Sequence, residues 1–410
     1  MKSTENKVKI CVIGLGYVGL PIYLRLSKYF EIIGYDNNSK RVLDLNNGYD
    51  FNLEYKKKDL LFRSRRKNII TNNINNIDSC NFYIIAVPTP IYENNIPNLT
   101  ILKNTCSDLS KFIKKNDIIF FESTVYPGVT EDICGKILEK KSKLKKNKDF
   151  TLGYSPERIN PGDQNHQIEK INKIVAFQKN NKRNIIINVF NKISKKLVIT
   201  NSIKEAETAK VIENIQRDLN IGLFNEIYTF CEKLKINFDE VINLASSKWN
   251  FVKYSPGLVG GHCLPVDPYY LSYIAKKKGL DMKILLAGRR VNNDMEKYVL
   301  KKIKLKLKEN KITTNMKILI LGESYKPNVG DQRNSIAQKI SLSLLEQYKK
   351  LQVYDPFIDN NSFYKKYRVK ELNLDIKYDV IIQLVNHKMF KKKTHEYLKK
   401  NDKTLFLKFF

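Results

Sequence analysis

The stretch SPGLVGGHCLPVDPYYL, residues 255–271, surrounds one cysteine with residue types that support chemistry. Cys263 follows two glycines and His262, and Asp267 lies four residues further along the chain. Glycines let backbone N–H groups approach a bound anion or a developing oxyanion, and a thiol becomes reactive when positive potential ionises it. A free cysteine is usually a small buried hydrophobic residue. Here the neighbours favour a nucleophile, with Asp267 placed to position or activate water.

His262 is an obvious candidate for a general base, but adjacent residues of a loop need not point the same way. We therefore assign His262 a structural role, in which it holds the loop through a hydrogen bond. No other histidine of the sequence has a comparable setting. A metal site is not predicted.

Three further residues are candidates for charge stabilisation or proton transfer. Lys210 and Asn214 lie one turn apart on one face of a predicted helix, where they could offer a cation and an amide donor to one oxygen atom. Glu157 follows the strand-like run TLGY within SPER and is a candidate base. Taken separately, the alternatives are a solvated lysine, a polar residue of a helix surface and an ordinary surface glutamate.

The N-terminal part carries a dinucleotide-binding pattern. Gly14, Gly16 and Gly19 form G-x-G-x-x-G between a strand-like run and a predicted helix, whose N-terminal N–H groups would face phosphates. Asp36 ends the next strand-like run, where its carboxylate can accept hydrogen bonds from ribose hydroxyls, which favours NAD over NADP. Arg41 would stack on adenine or reach the ribose; the alternative is a solvated arginine at a helix start.

Two threonines follow later strands of the same pattern. Thr89 in VPTP and Thr124 in ESTVYPG each come directly after an apolar run. The carboxyl ends of strands line the ligand crevice of a doubly wound sheet, so both are candidates for the nicotinamide end. A role as helix cap or turn residue fits the spacing equally well.

Composition narrows the class of protein. The 410 residues suit two or three domains, and six scattered cysteines without a CxxC pair fit a reducing cytoplasm. Neither a signal peptide nor a run of about 18 apolar residues occurs, so no membrane association is expected. The formal charge of +31 is spread along the whole chain, whereas a nucleic-acid binder concentrates charge on one face. Nucleic acid is therefore not an expected partner.

The spacing of apolar residues predicts an α/β protein with two Rossmann-like doubly wound domains joined by a long central helix. Strand-like runs at 82–87, 117–123, 173–177 and 196–200 alternate with helical stretches, which is typical of a parallel sheet covered on both faces. From about residue 203 one long helix follows, and the α/β pattern returns from about residue 315. We expect domains at 1–200, 201–300 and 301–410.

Seven motifs occur in the order of a known family: KICVIGLGYVGLP, VPTP, ESTVYPGVTE, GYSPERINPGD, AETAKVIENIQRDLNI, KWNFVKYSPGLVGGHCLPVDPYYL and AGRRVNNDM. Over nearly the whole length the chain resembles the UDP-glucose/GDP-mannose dehydrogenase family, in particular the branch that oxidises UDP-N-acetylhexosamines. The resemblance implies an N-terminal NAD domain, a central helix that forms a homodimer and a C-terminal domain that binds UDP.

The resemblance also implies a mechanism, in which the C6 alcohol of the sugar becomes a carboxylate with two NAD⁺ and without release of the aldehyde. Cys263 would capture the aldehyde as a thiohemiacetal, and a second oxidation would give a thioester that water hydrolyses. Lys210 and Asn214 would stabilise the oxyanion. Asp267 and Glu157 would handle water and protons.

The family pattern assigns further residues to ligands. Thr124 would help to place a water. The implied NAD-binding residues are Gly14, Gly16, Tyr17, Val18, Gly19, Asp36, Arg41, Thr89, Thr124 and Arg333. The implied substrate-binding residues are Glu157, Arg158, Lys210, Asn214, Tyr254, Gly257, Gly260, Arg289 and Lys326. Without the resemblance, Lys326 and Arg333 are two cations in a loop after a strand, where a phosphate could bind.

The chain departs from the family pattern in three places. Some members carry a second glutamate four residues after the one matched by Glu157, where this chain has Pro161, which speaks against glucose as the sugar. SYKPN stands where usual members read AFK or TFK. TLFLKFF at the end lacks the usual Asp or Arg, so an altered last strand and a shortened chain are both considered.

The predicted function is the NAD-dependent four-electron oxidation of UDP-GlcNAc or UDP-GalNAc to a uronic acid for a surface polysaccharide such as a capsule. The first alternative is the same chemistry on UDP-glucose, UDP-N-acetylmannosamine or GDP-mannose. The second is a non-catalytic binder of sugar nucleotides or nucleic acid.

Overall fold

A computed structural model describes residues 8–52, 54–61, 68–158, 168–358, 367–369, 372–373 and 375–410. The chain divides into two compact units. The first unit comprises Met1–Glu213 and Tyr269–Gly279, and the second comprises Asn214–Pro268 and Leu280–Phe410.

The first unit contains an eight-stranded sheet. Its strands, in chain order, are β1 (Lys9–Ile13), β2 (Glu31–Tyr35), β3 (Ile69–Thr71), β4 (Phe82–Ile85), β5 (Ile118–Phe121), β6 (Thr151–Tyr154), β7 (Asn172–Phe177) and β8 (Lys196–Thr200), and they lie in the order β3-β2-β1-β4-β5-β6-β7-β8. The runs FYII and IIFF are buried at every position, as expected for strands covered on both faces.

One strand departs from the parallel sheet that the sequence predicts. β7 pairs with β6 in antiparallel register, Tyr154 opposite Ala176, whereas the other neighbours pair in parallel. The apolar pattern of KIVAF identifies a buried strand but carries no information about its direction.

Helices alternate with these strands and continue into the second unit. They are α1 (Gly19–Leu26), α2 (Ser39–Asn46), α3 (Lys57–Leu61), α4 (Thr100–Leu109), α5 (Lys136–Ser142), α6 (Arg183–Ile193), α7 (Ile203–Leu234), α8 (Phe238–Ala245), α9 (Asp267–Lys277), α10 (Lys283–Glu309), α11 (Ile336–Leu345) and α12 (Lys388–Lys400). A 3₁₀ turn spans Ile74–Ser79, and a π-helical turn, Val129–Gly135, leads into α5.

The long central helix is confirmed as α7, a single helix of 32 residues. Its buried face combines apolar residues such as Val211 and Ile215 with ionisable ones such as Glu207 and Lys210. Ile212 on the same helix is apolar but 50% exposed. Part of the apolar pattern of α7 therefore faces away from the core of its own chain.

The second unit contains a four-stranded parallel sheet. Its strands are β9 (Ile318–Leu321), β10 (Leu351–Tyr354), β11 (Val380–Gln383) and β12 (Leu405–Lys408), in the order β10-β9-β11-β12. TLFLKFF thus forms a regular last strand paired with β11. The fold class predicted from the sequence, two Rossmann-like α/β domains and a long central helix, is confirmed.

In the part of the chain that the structure describes, no helix has both the length and the apolar character required to cross a bilayer.

Candidate active site

The turn after β1 is shaped by its three glycines. Gly14 has a φ of +90°, and a Cβ atom there would lie 2.7 Å from the carbonyl oxygen of Ala86. A Cβ on Gly19 would lie 1.8 Å from the carbonyl oxygen of Gly14, so helix α1 packs directly on the turn. A Cβ on Gly16 would meet no atom within 4 Å. Gly16 therefore faces open space beside the N-terminus of α1, as a site for a pyrophosphate requires.

Asp36 and Arg41 hold this turn. Asp36 Oδ2 accepts a hydrogen bond from Leu15 N at 2.8 Å, and its Oδ1 accepts one from Asn38 N at 2.9 Å. Arg41 is 4% exposed, so its interpretation as a solvated arginine is wrong. Its Nε donates to Leu15 O at 3.0 Å, and its Nη1 pairs with Asp50 at 2.7 Å. The sequence identifies Arg41 as a candidate residue but gives no signal for its partner Asp50.

These residues fit a dinucleotide. The turn leaves Gly16 open, and Tyr17 and Val18 stand half-buried at the start of α1. The half-buried carboxylate of Asp36 lies at the end of β2, next to the same turn. Its two backbone donors still leave lone pairs for ribose hydroxyls.

Thr89 and Thr124 are brought together after strands β4 and β5. Thr89 Oγ1 donates to Thr124 O at 2.7 Å, so the two strand ends are joined. The Tyr270 hydroxyl, on α9, donates to Thr89 O at 2.9 Å and to Pro90 O at 3.2 Å. The Thr89 hydroxyl therefore holds the two strand ends together, and Tyr270 is a support that was missed from the sequence.

Glu157 lies in a buried cluster of three ionisable groups. It is 9% exposed, so it is not an ordinary surface glutamate. Its Oε2 lies 3.8 Å from Lys173 Nζ, which donates at 2.7 Å to Oε2 of Glu122. Burial raises the pKa of Glu122 to about 8, opposed by the charge of Lys173 and assisted by that of Glu157. One buried lysine therefore serves two buried carboxylates.

The neighbouring residues of the SPER motif have different environments. Arg158 pairs with Glu213 on α7, with its Nε 3.1 Å from Oε2, and its Nη1 donates to Asn172 O at 3.1 Å. Lys210, on the same helix, is 6% exposed, so it is not a solvated lysine. Pro161, the position of the second family glutamate, lies outside the described residues.

Glu207 on α7 supports the loop that follows Thr124. Its carboxylate is fully buried and accepts hydrogen bonds from Gly128 N at 2.5 Å and Thr130 N at 2.8 Å. Burial raises the pKa of Glu207 to about 7, although both backbone donors oppose the shift. This residue was missed from the sequence, because a glutamate in a long helix usually faces solvent.

In the second unit, Cys263 stands next to the start of α9. It is the only one of the six cysteines that is not buried, and all six are free thiols. Its carbonyl oxygen accepts hydrogen bonds from Val266 N at 3.0 Å and Asp267 N at 2.9 Å. Asp267 is 1% exposed, and its Oδ2 accepts a hydrogen bond from Asn214 Nδ2 at 2.5 Å. The structure thus brings together Asn214, Asp267 and the backbone of the cysteine loop.

The glycine loop before Cys263 is fixed by side chains of α7 and α10. Gly257 N donates to Asn225 Oδ1 at 2.8 Å, and Asn225 Nδ2 donates back to Gly257 O at 3.1 Å and to Asn292 Oδ1 at 2.8 Å. Tyr254 packs near Phe224, with ring centroids 6.0 Å apart. The loop is therefore held at its start.

The same loop is held at its other end by the segment after β9. A Cβ on Gly260 would lie 2.7 Å from Asn334 O. Gly261 N donates to Arg333 O at 3.0 Å, and Gly261 O accepts from Asn334 Nδ2 at 2.9 Å. Both glycines are required by these close approaches.

Three basic residues that the family pattern assigns to NAD or substrate binding have side-chain neighbours within the second unit. Arg289 is 1% exposed and pairs with Asp218 on α7, whose pKa burial raises to about 6 although Arg289 opposes the shift. Arg333 pairs with Asp331, Nη2 to Oδ2 at 2.6 Å, and Lys326 Nζ lies 5.6 Å from the centroid of the Tyr325 ring.

Comparison with known proteins covers the whole fold. Models of the UDP-glucose/GDP-mannose dehydrogenase family match three segments: the NAD binding domain at residues 8–194, the central domain at 204–294 and the UDP binding domain at 319–407. A UDP-N-acetyl-D-glucosamine 6-dehydrogenase of Salmonella typhi is 42% identical over 391 residues, 94% of this chain and 91% of the relative.

Two further proteins extend the comparison. Protein CapL of Staphylococcus aureus is 40% identical over 397 residues, 95% of this chain and 92% of the relative. The solved structure of a UDP-D-ManNAc dehydrogenase from Pyrococcus horikoshii superposes with a TM-score of 0.84 at 27% identity, covering 98% of this chain and 95% of that one.

Proposed function

The chain belongs to the UDP-glucose/GDP-mannose dehydrogenase family and is an NAD-dependent nucleotide-sugar dehydrogenase, and on this premise we propose that it oxidises C6 of a UDP-N-acetylhexosamine to the carboxylate. The observation that carries the proposal is the 42% identity, over 94% of the chain, to a protein named UDP-N-acetyl-D-glucosamine 6-dehydrogenase. UDP-GlcNAc and UDP-GalNAc are the proposed substrates, and the uronic acid would serve a surface polysaccharide.

Cys263 is the proposed nucleophile. NAD⁺ would supply the chemistry of a hydride acceptor, one molecule for each of two oxidations. The Cys263 sulfur adds to the C6 aldehyde and gives a thiohemiacetal, whose loss of a hydride and a proton leaves a thioester. Water then cleaves the carbon–sulfur bond, which releases the carboxylate and restores the thiol. Support comes from the exposure of this thiol alone among the six cysteines.

The remaining catalytic roles are proposals taken from the family pattern and weighed against each residue's environment. Lys210 and Asn214 would stabilise the oxyanion of the thiohemiacetal. Asp267 would hold the hydrolytic water, and its hydrogen bond to Asn214 at 2.5 Å orients both side chains. Glu157 would exchange protons with substrate and water, with Thr124 helping to place a water.

The proposed ligand sets follow the same residues. Gly14, Gly16, Tyr17, Val18, Gly19, Asp36, Thr89, Thr124 and Arg333 would contact NAD, with Arg41 holding the turn. The sugar nucleotide would be bound by Glu157, Arg158, Lys210, Asn214, Tyr254, Gly257, Gly260, Arg289 and Lys326. The proposed domains are 1–200 for NAD, 201–300 for dimerisation and the cysteine loop, and 301–410 for UDP.

Substrate identity is tested by offering the purified protein UDP-GlcNAc, UDP-GalNAc, UDP-N-acetylmannosamine, UDP-glucose and GDP-mannose with NAD⁺. The expected result is about two NADH per UDP-GlcNAc or UDP-GalNAc consumed and a uronic acid by mass spectrometry. Cys263→Ser should abolish formation of the acid. Turnover of the Cys263→Ser variant at the wild-type rate would refute the thioester route, and activity with UDP-glucose alone would refute the assigned substrate.

We also propose that the protein is a homodimer. The second unit exposes several large apolar side chains on α7, α8 and the loop after them: Leu223, Phe230, Leu234, Leu244, Trp249 and Val252, between 52% and 91% exposed. An apolar surface of this kind is typical of an interface. Light scattering should give twice the chain mass of 47.9 kDa for wild type and a lower mass for Trp249→Asp. A cytoplasmic location is proposed because all six cysteines are free thiols.

A further inference from the structure

Arg41 is a cation on the same turn as Asp36, the acid assigned to the ribose of NAD. Asp36 Oδ2 accepts a hydrogen bond from Leu15 N at 2.8 Å, and Arg41 Nε donates to Leu15 O at 3.0 Å. The backbone N–H of Arg41 also donates to the side chain of Asn38, which caps α2, at 3.1 Å. In dinucleotide-binding domains an acid at this position favours NAD, whereas an arginine nearby accommodates the 2′-phosphate of NADP. This chain has both residues.

The guanidinium of Arg41 is occupied by protein groups. Its Nη1 donates to Oδ1 of Asp50 at 2.7 Å, and the Asp50 side chain is fully buried. The Phe51 ring lies over the guanidinium, with Cζ of Arg41 4.5 Å from the ring centroid. Nη2 is buried as well, and Arg41 as a whole is 4% exposed. Little of the cation is therefore available to a ligand.

Asp50 is itself held by the loop that follows α2. Its Oδ1 accepts a hydrogen bond from Asn52 N at 3.2 Å, and its Oδ2 accepts hydrogen bonds from Glu54 N at 3.2 Å and Tyr55 N at 3.3 Å. These backbone donors fix the carboxylate where it meets Arg41. Separating a buried carboxylate from its cation leaves an uncompensated charge in the interior, which is strongly unfavourable. Asp50 therefore competes with any phosphate for the guanidinium.

We propose that Asp50 is a specificity-determining residue, which disfavours NADP by sequestering Arg41. The preference for NAD then has two separate causes. Asp36 disfavours a 2′-phosphate directly, and Asp50 withholds the arginine that would bind one. Asp50 acts through Arg41, so it is a positioning residue. The inference concerns the cofactor and does not depend on which sugar nucleotide is oxidised.

Calorimetric titration of the full chain with NAD⁺ and with NADP⁺ tests the proposal without turnover. Asp50→Asn removes the negative charge and keeps an acceptor oxygen for the backbone donors. The released guanidinium should raise the affinity for NADP⁺ relative to NAD⁺ about 10–100-fold, the usual contribution of a hydrogen bond to a charged group. A damaged loop would weaken binding of both dinucleotides and could not produce this gain. An unchanged ratio of the two dissociation constants would overturn the proposal.

Two further variants identify the source of the gain. Asp44→Asn removes a half-buried carboxylate of α2, three positions after Arg41, and should leave the ratio at its wild-type value. An equal gain in this variant would attribute the effect to overall charge and contradict the role of the Arg41–Asp50 pair. Adding Arg41→Gln to Asp50→Asn should abolish the gain, and a gain that persists without the arginine would refute the assignment.

A comparison that retains Asp50 decides the question even if Asp50→Asn does not fold. Adding Arg41→Gln to Asp36→Asn should change the affinities for NAD⁺ and NADP⁺ by the same factor, because Asp50 already withholds the cation from both. If NADP⁺ affinity instead falls about tenfold further than NAD⁺ affinity, the loss expected for a hydrogen bond to a charged group, Arg41 binds the 2′-phosphate despite Asp50 and the proposal is wrong.

Discussion

Replacing Lys173 by Met tests the buried cluster around Glu157. Lys173 and Glu122 are 2% and 1% exposed, and their charged atoms lie 2.7 Å apart. Removing one partner of a buried ion pair leaves the other without compensation, which typically costs about 3–5 kcal/mol. That cost depends on the charge of the remaining carboxyl, so it should vary with pH.

The pKa of Glu122 sets the direction of this dependence. Burial raises the pKa of Glu122 from 4.5 to about 8. Between these two pH values the folded protein keeps the Glu122 proton, whereas the unfolded chain has released it. The free energy of unfolding of wild type therefore falls as pH rises to about 8. Above pH 8 the carboxylate ionises against Lys173 and the fall ends. Without the lysine, Glu122 keeps its proton to higher pH, and the fall continues at about 1.4 kcal/mol per pH unit.

The expected cost of Lys173→Met follows from these two contributions. At pH 6 the variant loses chiefly the hydrogen bonds of the ammonium group, about 1–2 kcal/mol. At pH 9.5 a further 1.5 pH units add about 2 kcal/mol, which gives a total of about 3–4 kcal/mol. Urea unfolding followed by circular dichroism at both pH values measures the difference from wild type.

A matched control lies in the same segment. Lys170 is exposed, so Lys170→Met should change the free energy of unfolding by less than about 0.5 kcal/mol at either pH. If Lys173→Met costs the same at pH 6 and pH 9.5, Lys173 is not the cation that permits Glu122 to ionise, and the charge assignment of the cluster is wrong.

Three further substitutions test single contacts. Gly14→Ala places a Cβ 2.7 Å from Ala86 O at a φ of +90°, and should cost about 1–3 kcal/mol in thermal unfolding and weaken NAD binding measured by calorimetry. Arg289→Met leaves the Asp218 carboxylate buried without its cation, and should cost about 3–5 kcal/mol in urea unfolding above pH 6, less below it. Because the pKa of Glu207 is raised to about 7, this residue makes the melting temperature of wild type fall as pH rises from 4.5 to about 7, and Glu207→Gln should remove that contribution.

Each of these substitutions has a control in the chain. Gly279 has a φ of +76°, but a Cβ atom added there would meet no atom within 4 Å, so Gly279→Ala separates backbone strain from steric contact. Arg290 and Glu205 are exposed neighbours of the two ionisable residues, and their substitution by Met and Gln should have little effect. Equal costs at Gly14 and Gly279 would contradict the argument from close packing.

The order of elements was accessible from the sequence because it depends on local patterns. Buried runs such as FYII and ILIL identify strands, and the 32 residues of α7 contain no proline. The antiparallel direction of β7 was not accessible, because strand direction depends on the path of the preceding connection. The exposure of Ile212 was missed for a related reason, since spacing identifies an apolar face but not what covers it.

In the candidate site, the sequence identifies residues with unusual neighbours in the chain but not partners that are distant in sequence. Cys263 and Asp267 stand out because glycines and an acid surround them locally. Glu122 and Lys173 are 51 positions apart, and neither has a local signal that predicts a buried ion pair. Asp331, whose Oδ2 lies 3.7 Å from Nδ1 of His262, was not accessible as its neighbour either, because the contact depends on the packing of two separate segments.

The two α/β domains share one structural feature that their sequences do not reveal, a glycine turn hydrogen-bonded to an aspartate that follows the neighbouring strand. In the first, Asp36 at the end of β2 accepts a hydrogen bond at 2.8 Å from the residue after Gly14, whose φ is +90°. In the second, Asp355 after β10 accepts hydrogen bonds at 2.8 Å from both residues after Gly322, whose φ is +89°.

The repeat separates two functions of the acidic residue. Asp355 is 8% exposed and lies 3.1 Å from Nε2 of His387, so its environment is that of a structural anchor. A carboxylate from the neighbouring strand can therefore brace a glycine turn through hydrogen bonds with protein groups alone. It follows that Asp36 contributes to the shape of the first turn before any ligand binds. Loss of NAD affinity in an Asp36 variant would consequently combine a lost ribose contact with a disordered turn, and only a comparison with the stability cost of the same change at Asp355 distinguishes the two.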